Sequence, residues 1–142
     1  MNDNANKPKL VTISQPGEYT VRACKVRPED CSKTQKGDPK IKVLMVTEDS
    51  QKINDTFFGS TEGALKRAAA FVCTATGKKM GLPPKDEQGL FDYLNKAAGC
   101  WLKVTVVQED VTFADGMTRR ISKVTKFAPA VRIAPAQEAP PF

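Results

Sequence analysis

Apolar and polar positions alternate along residues 18–27, with Tyr19, Val21 and Ala23 on one side. That two-residue period predicts a strand. Pro28 and the polar run 29–38 end it. Alternation returns over residues 40–47, where Ile41, Val43 and Met45 face one way and Lys40 and Lys42 the other. Glu48-Asp49-Ser50 has turn chemistry and residues 51–58 read as a strand again, so the two segments are expected to form a hairpin. The period then lengthens. Thr61 suits an N-cap, Leu65, Ala68, Ala69, Val72 and Thr76 follow helical spacing, and Gly77 suits the C-terminal cap. After a loop over 78–84, Asp86 opens a shorter helix through Leu90, Leu94 and Ala97, ended by Gly99. Residues 100–108 alternate cleanly, with Cys100, Leu102, Val104 and Val106 opposite Trp101, Lys103, Thr105 and Val107. Asp115-Gly116 predicts a turn, and residues 117–127 a last, strongly basic strand.

Three strands, a helix with a short second helix, and two strands is the element order of a mainly β, five-stranded OB-fold barrel, with the helices between strands 3 and 4. An SH3-like barrel or a sandwich fragment would present similar strands. The folded domain is expected over residues 11–128. Residues 1–10 read as a flexible N-terminal arm. Residues 129–142, with Pro129, Pro135, Pro140 and Pro141 among alanines, read as an extended tail. The chain has no internal repeat.

Composition removes several classes of chemistry. The 142 residues include no histidine, which excludes Ser-His-Asp and Cys-His catalysis and any zinc site that uses imidazole. Cys24 and Cys31 have six residues between them, and Cys73 and Cys100 stand alone, so the four cysteines lack zinc-site spacing and read as free thiols. Gly77-Lys78 lacks the glycine that a phosphate-binding loop needs five positions earlier, where Val72 stands. Glu29-Asp30, Asp86-Glu87 and Glu109-Asp110 fall in loops or at element ends, where solvated charge is the default. Asn54-Asp55-Thr56 matches a glycosylation sequon by chance, since no secretion signal accompanies it. No apolar run approaches the ~20 residues that span a bilayer. The expectation is a cytoplasmic, non-enzymatic protein with no cofactor, metal or membrane association.

Charge placement points to a partner. Lys plus Arg is 22 and Asp plus Glu is 16, a net charge of +6 that favours a polyanion. Residues 22–42 carry seven bases (Arg22, Lys25, Arg27, Lys33, Lys36, Lys40, Lys42) against three acids. Residues 117–127 carry Arg119, Arg120, Lys123 and Lys126 and no acid. Either segment alone reads as solubilising charge on strand edges. In an OB-type barrel, however, the first holds the loop joining strands one and two, and the second follows the loop joining strands four and five. Both then flank the surface such a barrel uses for single strands. Single-strand binding also needs flat apolar faces. Alternation turns Phe58 and Trp101 away from their strands' apolar faces, while a bulge would exchange Phe58 with Phe57. The candidate nucleic-acid contacts are therefore Arg22, Lys33, Lys36, Lys40, Lys42, Phe58, Trp101, Lys103, Arg119, Arg120 and Lys123.

Short features in a consistent order add a resemblance. Pro16-Gly17-Glu18-Tyr19 opens the first strand, and Thr34, Lys36, Gly37 and Asp38 precede the second. Asp55 and Phe57 sit in the third, and a helix with Arg67, Ala68 and Phe71 follows. Gly81, Pro83 and Gly99 precede a Val-rich strand, and Lys126-Phe127-Ala128-Pro129 closes the domain. In this order the chain resembles phage-encoded single-stranded-DNA-binding proteins of the small OB-fold type. The resemblance implies binding and protection of single-stranded DNA in phage DNA replication, recombination or repair, within the host cytoplasm. Pro140-Pro141-Phe142 is similar to the terminal tip of bacterial single-stranded-DNA-binding proteins, which implies recruitment of replication or recombination proteins through Pro141 and Phe142. The bacterial tip is acidic, whereas here only Glu138 and the terminal carboxylate are. One OB fold covers ~4–16 nucleotides, so a homo-oligomer would extend the site. The rival expectations are an adaptor or inhibitor that meets an acidic protein with its basic faces, and a small nuclease.

Overall fold

In the computed structural model, which describes residues 10–130, seven strands form one sheet that carries two helices. The strands are β1 (Val11–Thr12), β2 (Gly17–Ala23), β3 (Cys31–Lys33), β4 (Pro39–Thr47), β5 (Gln51–Phe58), β6 (Trp101–Thr112) and β7 (Thr118–Pro129). The helices α1 (Glu62–Thr76) and α2 (Glu87–Leu94) lie between β5 and β6. The strand order is β1-β5-β4-β2-β6-β7, and β3 also pairs with β4. The β1–β5 pair is parallel and the rest are antiparallel.

The mainly β class and the order of the longer elements follow the alternation pattern; the strand number does not. Two short strands join the five that periodicity predicts. β1 has two exposed residues beside β5, too few to show a period. β3 lies in the polar run read as a loop, and only Cys31 of its three residues is half-buried. The first long strand stops at Ala23 instead of residue 27. Beyond it the Cys24 amide still donates to the Leu44 carbonyl (2.9 Å), but Val26 turns into the core and Pro28 opens a 3-10 turn. Nor does the sheet close on itself, because no ladder joins β7 to β5 or β1.

Burial follows the pleat. Ile41, Val43 and Met45 of β4, Ile53 and Phe57 of β5, and Leu102, Val104 and Val106 of β6 are buried together. Ala68, Phe71 and Val72 of α1 and Leu90 and Leu94 of α2 cover them. The Thr61 hydroxyl caps α1 by accepting from the Ala64 amide (3.1 Å), and Gly77 ends it at φ 73°, a left-handed conformation that disfavours other residues. The Asp86 carboxylate caps α2 by accepting from the Gly89 amide (2.8 Å).

Side chains stitch the seam between β5 and β7 where no ladder runs. At one end Ile13 is wholly buried, its amide donating to the Lys52 carbonyl (2.8 Å) and its carbonyl accepting from the Ser122 hydroxyl (2.7 Å). At the other end Arg67 of α1 donates to both carboxylate oxygens of Asp55 on β5 (3.1 and 2.7 Å) and to the Val124 carbonyl on β7 (3.1 Å). Its guanidinium lies 5.1 Å from the ring centres of both Phe57 and Phe127. Phe71 stacks on Phe57 at 4.9 Å. Burial pushes the Asp55 carboxyl above its ordinary value, although Arg67 and Lys123 pull the other way.

Candidate nucleic-acid interface

The residues that alternation turns away from the core form a continuous outer face. Register aligns Lys52, Val46, Arg22 and Trp101 as one row across β5, β4, β2 and β6. Lys42 stands opposite Thr56, and Lys40 opposite Phe58. From Lys40 to Val46 is six residues, ~20 Å at about 3.3 Å per residue. Phe58 and Trp101 therefore sit at opposite corners of a basic strip. Both are half-buried, and the Arg22 guanidinium lies 5.9 Å from the Trp101 ring centre.

The chain between β2 and β3 folds back over this strip and makes an open groove of about 470 Å³. Leu44 of β4 stands opposite Asn54 of β5, with Cys24 beside Leu44. Lys42 and Lys52 line the sheet side, and Lys25, Arg27 and Asp30 the loop side. The loop is held from a distance. The Asn95 side chain accepts from the Val26 amide (2.7 Å) and donates to the Val26 carbonyl (3.3 Å), while Val26 itself is buried. One amide thus acts as a short piece of strand pairing and fixes Lys25 and Arg27 on either side of Val26.

The charges differ in how they are satisfied. Lys25, Lys40, Lys42 and Lys52 have no carboxylate within 4.0 Å among the described residues. Arg27 is paired to Glu29 (3.4 Å) and Asp30 (3.7 Å). Burial pushes the Cys24 thiol above its ordinary value, with the Arg22 charge acting in the opposite sense.

Of the residues predicted from sequence, Arg22, Lys40, Lys42, Phe58 and Trp101 come together on this face. Lys103 is two pairs further along and meets Glu18 at 3.5 Å. Lys36 lies in the exposed β3–β4 turn. Lys33 pairs with Glu87 of α2 (3.7 Å) and leaves the strip. The second basic segment behaves differently. Beyond Val106 and Val124, β6 and β7 extend as a two-stranded arm past the end of β2. There Arg119 meets Asp115 (2.8 Å), Arg120 meets Asp110 (3.2 Å) and Lys123 meets Glu109 (3.5 Å). Acids from β6 and the turn thus pair three of the four bases of what reads as an acid-free strand. Pro141 and Phe142 lie outside the described residues.

Sequence reasoning omitted three contributors. Lys52 was visible on the same strand face as Phe58, but its significance depends on the loop that covers it. Lys25 belongs to the first basic segment, yet its position is set by Val26 and Asn95, which are 69 residues apart. Leu44 shares its outward parity with Lys40 and Lys42, the only signal it offered.

Among the described residues, no group of three or more Cys, Asp or Glu side chains converges on a point that could hold a metal ion. No helix there is long and apolar enough to cross a membrane. No protein-family model matches the chain, and no curated protein matches it.

Proposed function

We propose that the chain binds single-stranded DNA without sequence preference on the outer face of β4 and β5. The observation that carries this is the strip of unpaired Lys25, Lys40, Lys42 and Lys52, joined by Arg22 and bounded by Phe58 and Trp101. The lysines and Arg22 neutralise phosphates and release counterions, while the two aromatic rings stack bases. The strip is narrow, single-layered and apolar at both corners, which suits splayed bases better than a rigid duplex.

We read the architecture as OB-type, which would serve the same function. With β2, β4, β5, β6 and β7 as its five strands, both helices fall between the third and fourth. The first strand pairs with the second and the fourth. The open seam then separates the third from the fifth, as in a partly open barrel. The basic strip falls on strands two and three, beside the loop from strand one to strand two. The proposed setting is phage DNA replication or recombination in the host cytoplasm, on the resemblance given above. Recruitment of partner proteins through Pro141 and Phe142 belongs to the same proposal.

Fluorescence anisotropy of a labelled ~30-nucleotide oligo(dT) tests it, since that length exceeds the site of one barrel. Five phosphates neutralised at about 0.7 counterions each give a log–log salt slope near −3.5, so binding weakens roughly 100-fold between 50 and 200 mM salt. Duplex of equal length should compete poorly. No binding at low salt would refute the proposal and turn the basic face toward an acidic protein.

A further inference from the structure

The groove over β4 and β5 combines features that a simple phosphate track does not need. A track requires only a line of cations along the backbone. Here Lys42 and Lys52 stand on one side, Lys25 on the other, and an apolar patch of Leu44 and Cys24 lies between them. Asn54 stands across from Leu44 with both a donor and an acceptor to offer. The volume of about 470 Å³ falls within the ~300–1,000 Å³ typical of ligand pockets. Asp30 does not cancel the field, because its carboxylate already accepts from the Arg27 amide (3.0 Å) and faces the Arg27 guanidinium.

We infer that this groove is a single-nucleotide subsite, in which one base of the bound strand lies against Leu44 and Cys24 while its flanking phosphates meet Lys42 and Lys52 on one side and Lys25 on the other. This rests on the proposed single-strand binding and adds a fixed point to it. The strand is pinned at the groove between its two stacking corners, so one nucleotide is shielded more deeply than its neighbours. Lys25 and Arg27 line the loop side on either flank of the buried Val26, so Asn95, which holds the Val26 backbone, positions the subsite without touching the ligand.

The Cys24 thiol reports on the site directly. All four cysteines are free and half-buried, so each has its own rate of alkylation by N-ethylmaleimide, read by peptide mass spectrometry on the full chain. Saturating oligo(dT) is expected to slow alkylation of Cys24 about tenfold, while Cys73, on α1 and away from the groove, keeps its rate. A strand of abasic sites keeps the phosphates and removes the bases, so it is expected to bind more weakly and to leave Cys24 reactive even when saturating. Oligo(dT) that binds by anisotropy but leaves the Cys24 rate unchanged overturns the subsite and spares the proposed function. Absence of any oligonucleotide binding overturns both. Equal protection by the abasic strand, or by inorganic phosphate alone, makes the groove an anion site and overturns the placement of the base.

Discussion

Replacing Arg67 with Met probes the seam that substitutes for a strand ladder. The change keeps an apolar stem and removes two hydrogen bonds to Asp55, one to the Val124 carbonyl, and a cation over two phenylalanine rings. It leaves Asp55, whose side chain is 10% exposed, as an unpaired carboxylate. Breaking a buried ion pair from one side costs about 3–5 kcal/mol. The Arg67 side chain is 35% exposed, so water replaces part of what is lost. That discounts the expected loss to about 2–3 kcal/mol. At roughly 3–5 °C per kcal/mol for a domain of this size, the melting temperature should fall by about 10 °C. Asp55→Asn should cost less than Arg67→Met, because it removes the desolvated charge and leaves only Arg67, which is 35% exposed to water. In the Asp55→Asn background, Arg67→Met should then cost much less than it does alone. The pH dependence has a definite sign. A carboxyl raised in the folded state holds its proton more tightly than in the unfolded chain, so its ionisation costs stability above the folded pKa. Without Arg67 that pKa climbs further, and the loss seen at pH 7 should shrink as the pH falls. Urea denaturation of the four proteins measures the cycle. Equal costs for Arg67→Met in both backgrounds, within about 0.5 kcal/mol, would show that the pair does not hold the seam.

Asn95→Ala leaves the Val26 amide and carbonyl unpartnered near a buried side chain, at about 1–3 kcal/mol for each unsatisfied group. Denaturation should register that loss, and oligo(dT) affinity should fall with it as Lys25 loses its fixed place. Arg119→Ala and Arg120→Ala remove arm cations already held by Asp115 and Asp110, so anisotropy should find oligo(dT) affinity changed less than by Lys42→Ala. Burial pushes the Tyr93 hydroxyl up from its ordinary value of 10.0 to about 12, and it donates to the Gly81 carbonyl at 2.9 Å. The folded state then keeps a proton that the unfolded chain has lost, so stability should decline between pH 10.0 and about 12. In Tyr93→Phe that part of the decline should disappear from the pH profile of urea midpoints.

Legibility in the sequence depended on the range of the interactions involved. The β4–β5 hairpin, both helix caps and β6 were readable because period-two alternation, Thr61, Asp86 and Gly77 are local signals. β3 was not, because three residues with one half-buried side chain carry no period, and their pairing with β4 depends on the turn at Thr34–Gly37. The seam was invisible for a related reason. Asp55 and Arg67 look like ordinary surface charges until α1 crosses β5 and brings them within 2.7 Å. At the site, alternation gives the outward parity of the strip residues, and charge counting gives the first basic segment. Counting along one segment misses the ion pairs of the second, because their acids lie on the neighbouring strand and the turn.

That asymmetry bears on where function resides. The arm built from β6 and β7 carries as many cations, Arg119, Arg120 and Lys123, as β4 and β5 carry on the strip, but the arm's are matched pair by pair. An exposed pair of this kind adds little to stability and little to the field that a polyanion feels. On the strip, Lys40, Lys42 and Lys52 share the outward face with no carboxylate within 4.0 Å among the described residues. Local packing gains nothing from leaving acids out. The proposed single-stranded DNA would supply the missing negative charge. Addition of oligo(dT) at low salt should therefore raise the melting temperature, and the rise should diminish in Lys42→Ala.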